Sequence, residues 1–208
     1  MAGDDELLAL MRTIAAGDSS AAQARLRASP VLASMPVTRG GTRANAVDFF
    51  LTEVGAYIYV GDTALHVAAL AYDTATARLL LRANANVRAK NRRGAEPLHA
   101  AVNGGPGALN WNPPRQAAMI ELLLANGAEI DAVASGGVTP LHRAVRNRCA
   151  GAVRVLVAAG ADPDRPNDNG STARTLVLHT TGRGGTGTAE AKREQAAIVE
   201  LLAAAPPR

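Results

Sequence analysis

The sequence predicts an all-α fold assembled from a repeated helix pair, and three observations predict it. Four segments of the 208-residue chain line up: GDTALHVAA from Gly61, GAEPLHAAV from Gly94, GVTPLHRAV from Gly137 and GSTARTLVL from Gly170, with their glycines 33, 43 and 33 residues apart. A second series trails them: LLLRANANV from Leu79, ELLLANGAEI from Glu121, VLVAAGADP from Val155 and ELLAAAPP from Glu200. The chain is 48% apolar but holds only six aromatics (Phe49, Phe50, Tyr57, Tyr59, Tyr72 and Trp111). Its apolar content is therefore mostly Ala, Leu and Val, which suits closely approaching helices and disfavours an aromatic-rich β-sandwich.

Each unit has a local justification. Gly61, Gly94, Gly137 and Gly170 permit a tight turn; Thr63, Thr139 and Thr172 suit a helix N-cap, and Pro97 and Pro140 its first turn. A short helix follows, with one apolar stripe (Leu65, Ala68, Ala69; Leu98, Ala101, Val102; Leu141, Ala144, Val145). The second helix is apolar at Leu79, Leu80 and Leu81 or at Ile120, Leu122, Leu123 and Leu124, and Gly127 or Gly160 ends it. The unit is turn, helix, helix. Upstream, DDELLALMRTIAAGD and SSAAQARLRAS read as two further helices joined at Gly17-Asp18.

Gly137 to Asp168 carries Thr139-Pro140-Leu141-His142 and a closing Gly160-Ala161-Asp162. In these residues the chain resembles ankyrin repeats, whose unit of about 33 residues carries a TPLH turn-and-helix motif. The resemblance covers residues 61 to 205 and implies an ankyrin-repeat solenoid of about five helix-pair repeats with three insertions. The expected layout is a degenerate capping repeat over 1–36, an inserted helical connection over 37–60, and repeats over 61–93, 94–136, 137–169 and 170–205. Departures are Glu96 for Thr, Ala64 and Ala173 for Pro, Asn84 for the closing Gly, and Arg174-Thr175 for Leu-His. A polar Arg174 suits a terminal repeat that faces water.

Phase arithmetic places the insertions at 37–60, containing NAVDFFLTEVGAYIYV, at Pro106 to Arg115, and at Gly182 to Glu194. Phe49, Phe50 and Val54 fit a helix covering the solenoid, and Trp111, among Asn110, Asn112, Pro113 and Pro114, is divided between packing and a partner-facing role. Gly182, Gly184 and Gly187 spell GxGxxG, but without a preceding strand the string reads as a loop rather than a dinucleotide site.

No catalytic motif emerges, so the chain is read as a non-enzyme needing no cofactor or metal. His66, His99 and His142 recur once per layer, too far apart to share an ion at bond lengths of about 2 Å, and the resemblance implies a structural role near the turn. Cys149 stands beside Arg146, Arg148 and Arg154, surroundings that could lower a thiol pKa, but no base is tied to it by motif. One cysteine, an acidic start at Asp4, Asp5 and Glu6, and no membrane-length apolar run point to a soluble, cytoplasmic protein with no membrane partner.

Net charge is +4, and 20 of the 22 basic residues are Arg spread along the chain, so basicity alone identifies no partner and nucleic acid is disfavoured. The densest run is Arg88, Lys90, Arg92 and Arg93. The resemblance implies that turn tips and first-helix faces bind a partner protein. Carried over by position, it nominates Arg92, Arg93, Ala95 and Asn103, then Ser135, Val138, Arg146 and Asn147, then Asp168, Asn169, Ser171 and His179, with Trp111 added from its insertion. The reading is a protein-binding scaffold or adaptor whose partner presents an acidic segment, with no small-molecule substrate. The runners-up are a regulatory subunit of an enzyme, with a pocket gathering Asp48 and Glu53, and a weak nucleic-acid binder.

Overall fold

The computed structural model describes residues 2–42, 45–178 and 188–206. Ten α-helices occur among them, in five consecutive pairs: α1 (Ala2–Ala15) with α2 (Ser19–Ala28), α3 (Ala64–Leu70) with α4 (Thr74–Arg82), α5 (Pro97–Ala101) with α6 (Pro113–Ala125), α7 (Pro140–Arg146) with α8 (Ala150–Ala158), and α9 (Ala173–Leu176) with α10 (Ala189–Ala204). Polar caps start the helices. Thr63, Thr139 and Thr172 are N-caps of the first helices, while Asp18, Asp73, Asn112 and Thr188 accept from backbone N–H groups of the second helices. The stop signals hold too: Gly127 and Gly160 are left-handed, at φ +88° and +96°, and Asn84 adopts the same region at φ +63°.

The pairs stack in two files. α1, α3, α5, α7 and α9 pack in series, as do α2, α4, α6, α8 and α10. A helix as short as α5 is not stable alone; burial between neighbours holds it, and Leu65, Leu98 and Leu141 are each fully buried at the shared interface. Small side chains set the spacing, since Ala68, Ala69, Ala101 and Ala144 are also fully buried. The turn tips stack more tightly still. A Cβ on Gly61 would come within 2.8 Å of Asn91 Cα, and one on Gly137 within 2.6 Å of the Asp168 nitrogen. These two tips therefore need glycine for steric room as well as for positive φ, whereas Gly94 and Gly170 need it for φ alone.

The first insertion departs from the expected helix. Residues Val47–Phe49 make one 3₁₀ turn, and β1 (Phe50–Leu51) pairs antiparallel with β2 (Ala56–Tyr57), with Phe50 opposite Tyr57. Gly55, at φ +60°, closes the hairpin. Side chains thus alternate instead of following a helical stripe: Phe49, Leu51 and Val54 are buried, whereas the rings of Phe50 and Tyr57 sit outside with centroids 4.8 Å apart. Core packing holds for Phe49 and Val54 but not for Phe50.

The second insertion is tied down. The Asn110 amide donates to Leu70 O at 2.8 Å, and Trp111, half-buried, donates from Nε1 to Gln116 Oε1 at 3.4 Å. Gln116 in turn donates to Tyr72 Oη and Ala101 O. Of the third insertion, Gly182, Gly184 and Gly187 lie outside the described residues.

Arg174 faces water only in part. It is half-buried, pairs with Asp164 at 2.8 Å, and donates to Leu202 O and Ala205 O at the end of α10. The last repeat is closed by a guanidinium that satisfies carbonyls left open at a helix C-terminus.

Candidate binding groove

The three repeated histidines join layer to layer. Nδ1 of His66, His99 and His142 accepts from the N-cap backbone N–H of Thr63, Glu96 and Thr139, which leaves the proton on Nε2. Each Nε2 then donates, at 3.0 Å, to a carbonyl at the next turn tip: Ala95 O, Val138 O and Ser171 O. Burial holds the His99 ring neutral, with its pKa pushed down to about 3, and lowers that of His142 in the same way. Both nitrogens of each ring are thus used within the fold, and the tips are positioned by these bonds.

Between the tips, the first helices and the inserted hairpin runs a groove of about 460 Å³. The hairpin contributes Gly55, Ala56, Tyr57 and Tyr59; the layers below contribute Asp62, His66 and Leu70, then Arg93, Ala100 and Asn103, then Arg143 from α7. Tyr59 is central to it. The guanidinium of Arg93 lies 4.4 Å and that of Arg92 5.0 Å from its ring centroid, an aromatic clamp that orients both cations. Arg92 is further bound to the insertion, donating to Gly41 O at 2.6 Å.

The residues nominated from the sequence are distributed unevenly. Arg93, Ala95 and Asn103 line the groove. Ala95 does not offer the exposed surface expected of it: it is 5% exposed, because its N–H is held by Asn91 Oδ1 and its carbonyl by His66. Ser135 is exposed and its hydroxyl donates to Arg93 O at 2.8 Å, so it fixes the neighbouring tip. Val138 and Ser171 are half-buried and supply the carbonyls taken by His99 and His142. Arg146, Asp168 and Asn169 are exposed, and Asn147 is half-buried with its amide on Val102 O at 2.8 Å. Trp111 sits in the connection between α5 and α6, outside the groove lining. His179 lies outside the described residues.

Among the groove residues that the sequence reading did not nominate are Tyr57, Tyr59 and Arg143. Arg143 carried a usable signal, since it directly follows the His where the two preceding copies have Val67 and Ala100.

The run from Arg88 is less free than its sequence suggests. Glu96 is fully buried, with Arg88 Nε at 3.8 Å and Lys90 Nζ at 3.9 Å, and Arg88 also reaches Glu129 at 3.6 Å. Burial raises the Glu96 carboxyl pKa, and the two cations partly offset that. Cys149 runs against its sequence surroundings: its thiol is buried and hydrogen-bonded to Gly104 O, and burial pushes its pKa up to about 12. Asp48 and Glu53 border different cavities and are not gathered into one site.

Comparison with known proteins settles the family. A family model described as ankyrin repeats in many copies matches residues 117–177, and a single ankyrin-repeat model matches 60–92. The chain is an ankyrin-repeat protein. The ankyrin array is similar to a stretch of neurogenic locus notch homolog protein 1 from Danio rerio, 33% identical over 114 residues, or 54% of this chain and 4% of that protein. It is also similar to ankyrin repeat and SOCS box protein 16 from Mus musculus, 36% identical over 118 residues, or 56% of this chain and 25% of that protein. A Caenorhabditis elegans homolog of transient receptor potential cation channel subfamily A member 1 is 33% identical over 114 residues, covering 55% of this chain and 8% of that protein. The chain thus spans a small part of the length of each relative. Ankyrin repeats are in general protein–protein interaction modules and non-catalytic scaffolds. No helix among the described residues is long and apolar enough to cross a membrane.

Proposed function

We propose that this protein is a scaffold or adaptor that recognises a partner protein in the groove between its turn tips and the inserted hairpin, and that the partner presents an acidic segment. The observation that carries the reading is the groove itself, walled by Tyr57 and Tyr59 and carrying Arg93 and Arg143. Aromatic and arginine side chains are the types that dominate interface energy. The surface is also held in advance: the histidine bonds fix the tips and Tyr59 orients Arg93, so little side-chain freedom is lost on binding. The buried, free Cys149 thiol supports a reducing, cytoplasmic setting.

The test is co-purification from native lysate with a photo-crosslinking residue at Ser135, comparing the intact chain with Arg93→Glu/Arg146→Glu and with Arg78→Glu/Arg154→Glu on the second helices. Loss of a crosslinked partner in the first pair alone is expected. Equal crosslinking in all three proteins would count against the groove.

A further inference from the structure

Arg143 extends from α7 toward the layer below, where its Nη1 donates to His99 O at 3.0 Å. A guanidinium has five N–H donors, and no other hydrogen bond or ion pair engages this one among the described residues. It is half-buried in the groove wall, so water solvates it incompletely. The nearest charges aggravate the deficit. Burial first, then Arg146 and Arg93, disfavour its charged form and pull its pKa down to about 10, an effect that Tyr59 and Asp62 offset only in part. Asp62 accepts from Asn91 Nδ2 at 2.8 Å and from Tyr59 N at 2.7 Å. At neutral pH the guanidinium remains charged and under-compensated, a state that an incoming anion relieves.

Resting on the groove reading above, we propose that Arg143, flanked by Arg93 and Arg146, is the anchor for a carboxylate side chain of the partner's acidic segment. The open guanidinium donors present the planar fork that a carboxylate fills. A singly charged group suits the site better than a phosphate dianion, because Asp62 lines the same groove and repels added negative charge.

The probe is a fluorescently labelled glutamate peptide, followed by anisotropy at low ionic strength beside matched glutamine and phosphoserine peptides and a single-stranded oligonucleotide. Arg143→Gln is expected to weaken the glutamate peptide about tenfold or more, and Arg143→Lys to weaken it less, since charge survives while the fork is lost. Arg78→Gln, on α4, leaves binding unchanged. If Arg143→Gln does not fold by circular dichroism, Arg93→Gln/Arg146→Gln carries the test, with a severalfold loss expected. Undiminished peptide binding in a folded Arg143→Gln, or a preference for the phosphopeptide or the oligonucleotide, overturns the proposal. A native partner that still crosslinks at Ser135 in Arg143→Gln overturns the anchor and leaves the groove reading standing, whereas loss of crosslinking only in the groove variants supports both.

Discussion

The inner layers and the last layer of the array close the same turn with different chemistry. In the inner layers a histidine takes the N-cap N–H on one nitrogen and reaches the next tip with the other, spanning 29 residues from His66 to Ala95 and 39 from His99 to Val138. In the last layer Thr175 stands at that position; it accepts from Thr172 N at 2.9 Å and returns its own proton to Thr172 O at 3.1 Å. The local bond survives and the long one is gone, because the single hydroxyl proton of Thr175 is spent within its own turn. Arg174 supplies the closing contact instead, turning to Asp164 and the carbonyls at the end of α10. A repeat residue is therefore better understood as two separable functions, one within its turn and one between layers.

This comparison can be broken at several points. The largest effect is expected for His99→Ala, which orphans a buried N–H and a buried carbonyl and leaves a cavity, costing about 3 kcal/mol in urea unfolding. A loss no greater than that of Thr175→Ala would abolish the distinction between layers. Gly137→Ala should cost about 2 to 3 kcal/mol, since its Cβ would collide with the Asp168 backbone, whereas Gly94→Ala, whose nearest neighbour is 3.5 Å away, should cost about 1 kcal/mol from its positive φ alone. Equal losses would show that stacking of the tips contributes nothing. Arg174→Met should cost about 1 to 2 kcal/mol, with faster amide exchange confined to the end of α10. The smallest change belongs to Thr175→Ala, about 0.5 to 1 kcal/mol, a cap bond with no second partner.

Acid offers a further probe of the inner layers. The folded pKa of His99, about 3, lies below its ordinary value of 6.5, so the unfolded chain binds the extra proton first. Its contribution is intact above about pH 6.5 and is lost progressively as pH falls toward 3. Glu96, with its carboxyl raised, acts in the opposite sense, so the ring itself should be observed. Nitrogen chemical shifts should report a neutral Nε2–H ring for His99 down to about pH 4. Titration near pH 6 in the folded protein would refute the layer-to-layer bond.

The array was legible because each repeat writes its own local instructions. Thr139-Pro140 starts the first helix, Gly160 ends the second, and Leu141 with Ala144 marks the buried face of the first wherever the segment is placed. The inserted hairpin was not legible, because Phe49, Phe50 and Val54 satisfy a helical stripe as well as a strand pair. What tips the balance is outside the segment: Gly41 N binds Ile58 O at 2.8 Å, and Arg92 reaches Gly41 O. Cys149 shows the same limit, since neighbouring arginines along the chain suggested a reactive thiol and burial reversed the sign.

The order of helices, their caps and the face each one buries followed from short-range patterns, in which one residue and its neighbours three or four positions away carry the information. The groove and its charge were decided by distance in space. Arg143 meets Arg93 and Tyr59 only after stacking has brought three layers and an insertion together, and no spacing along the chain encodes which donors of a guanidinium remain unpaired there.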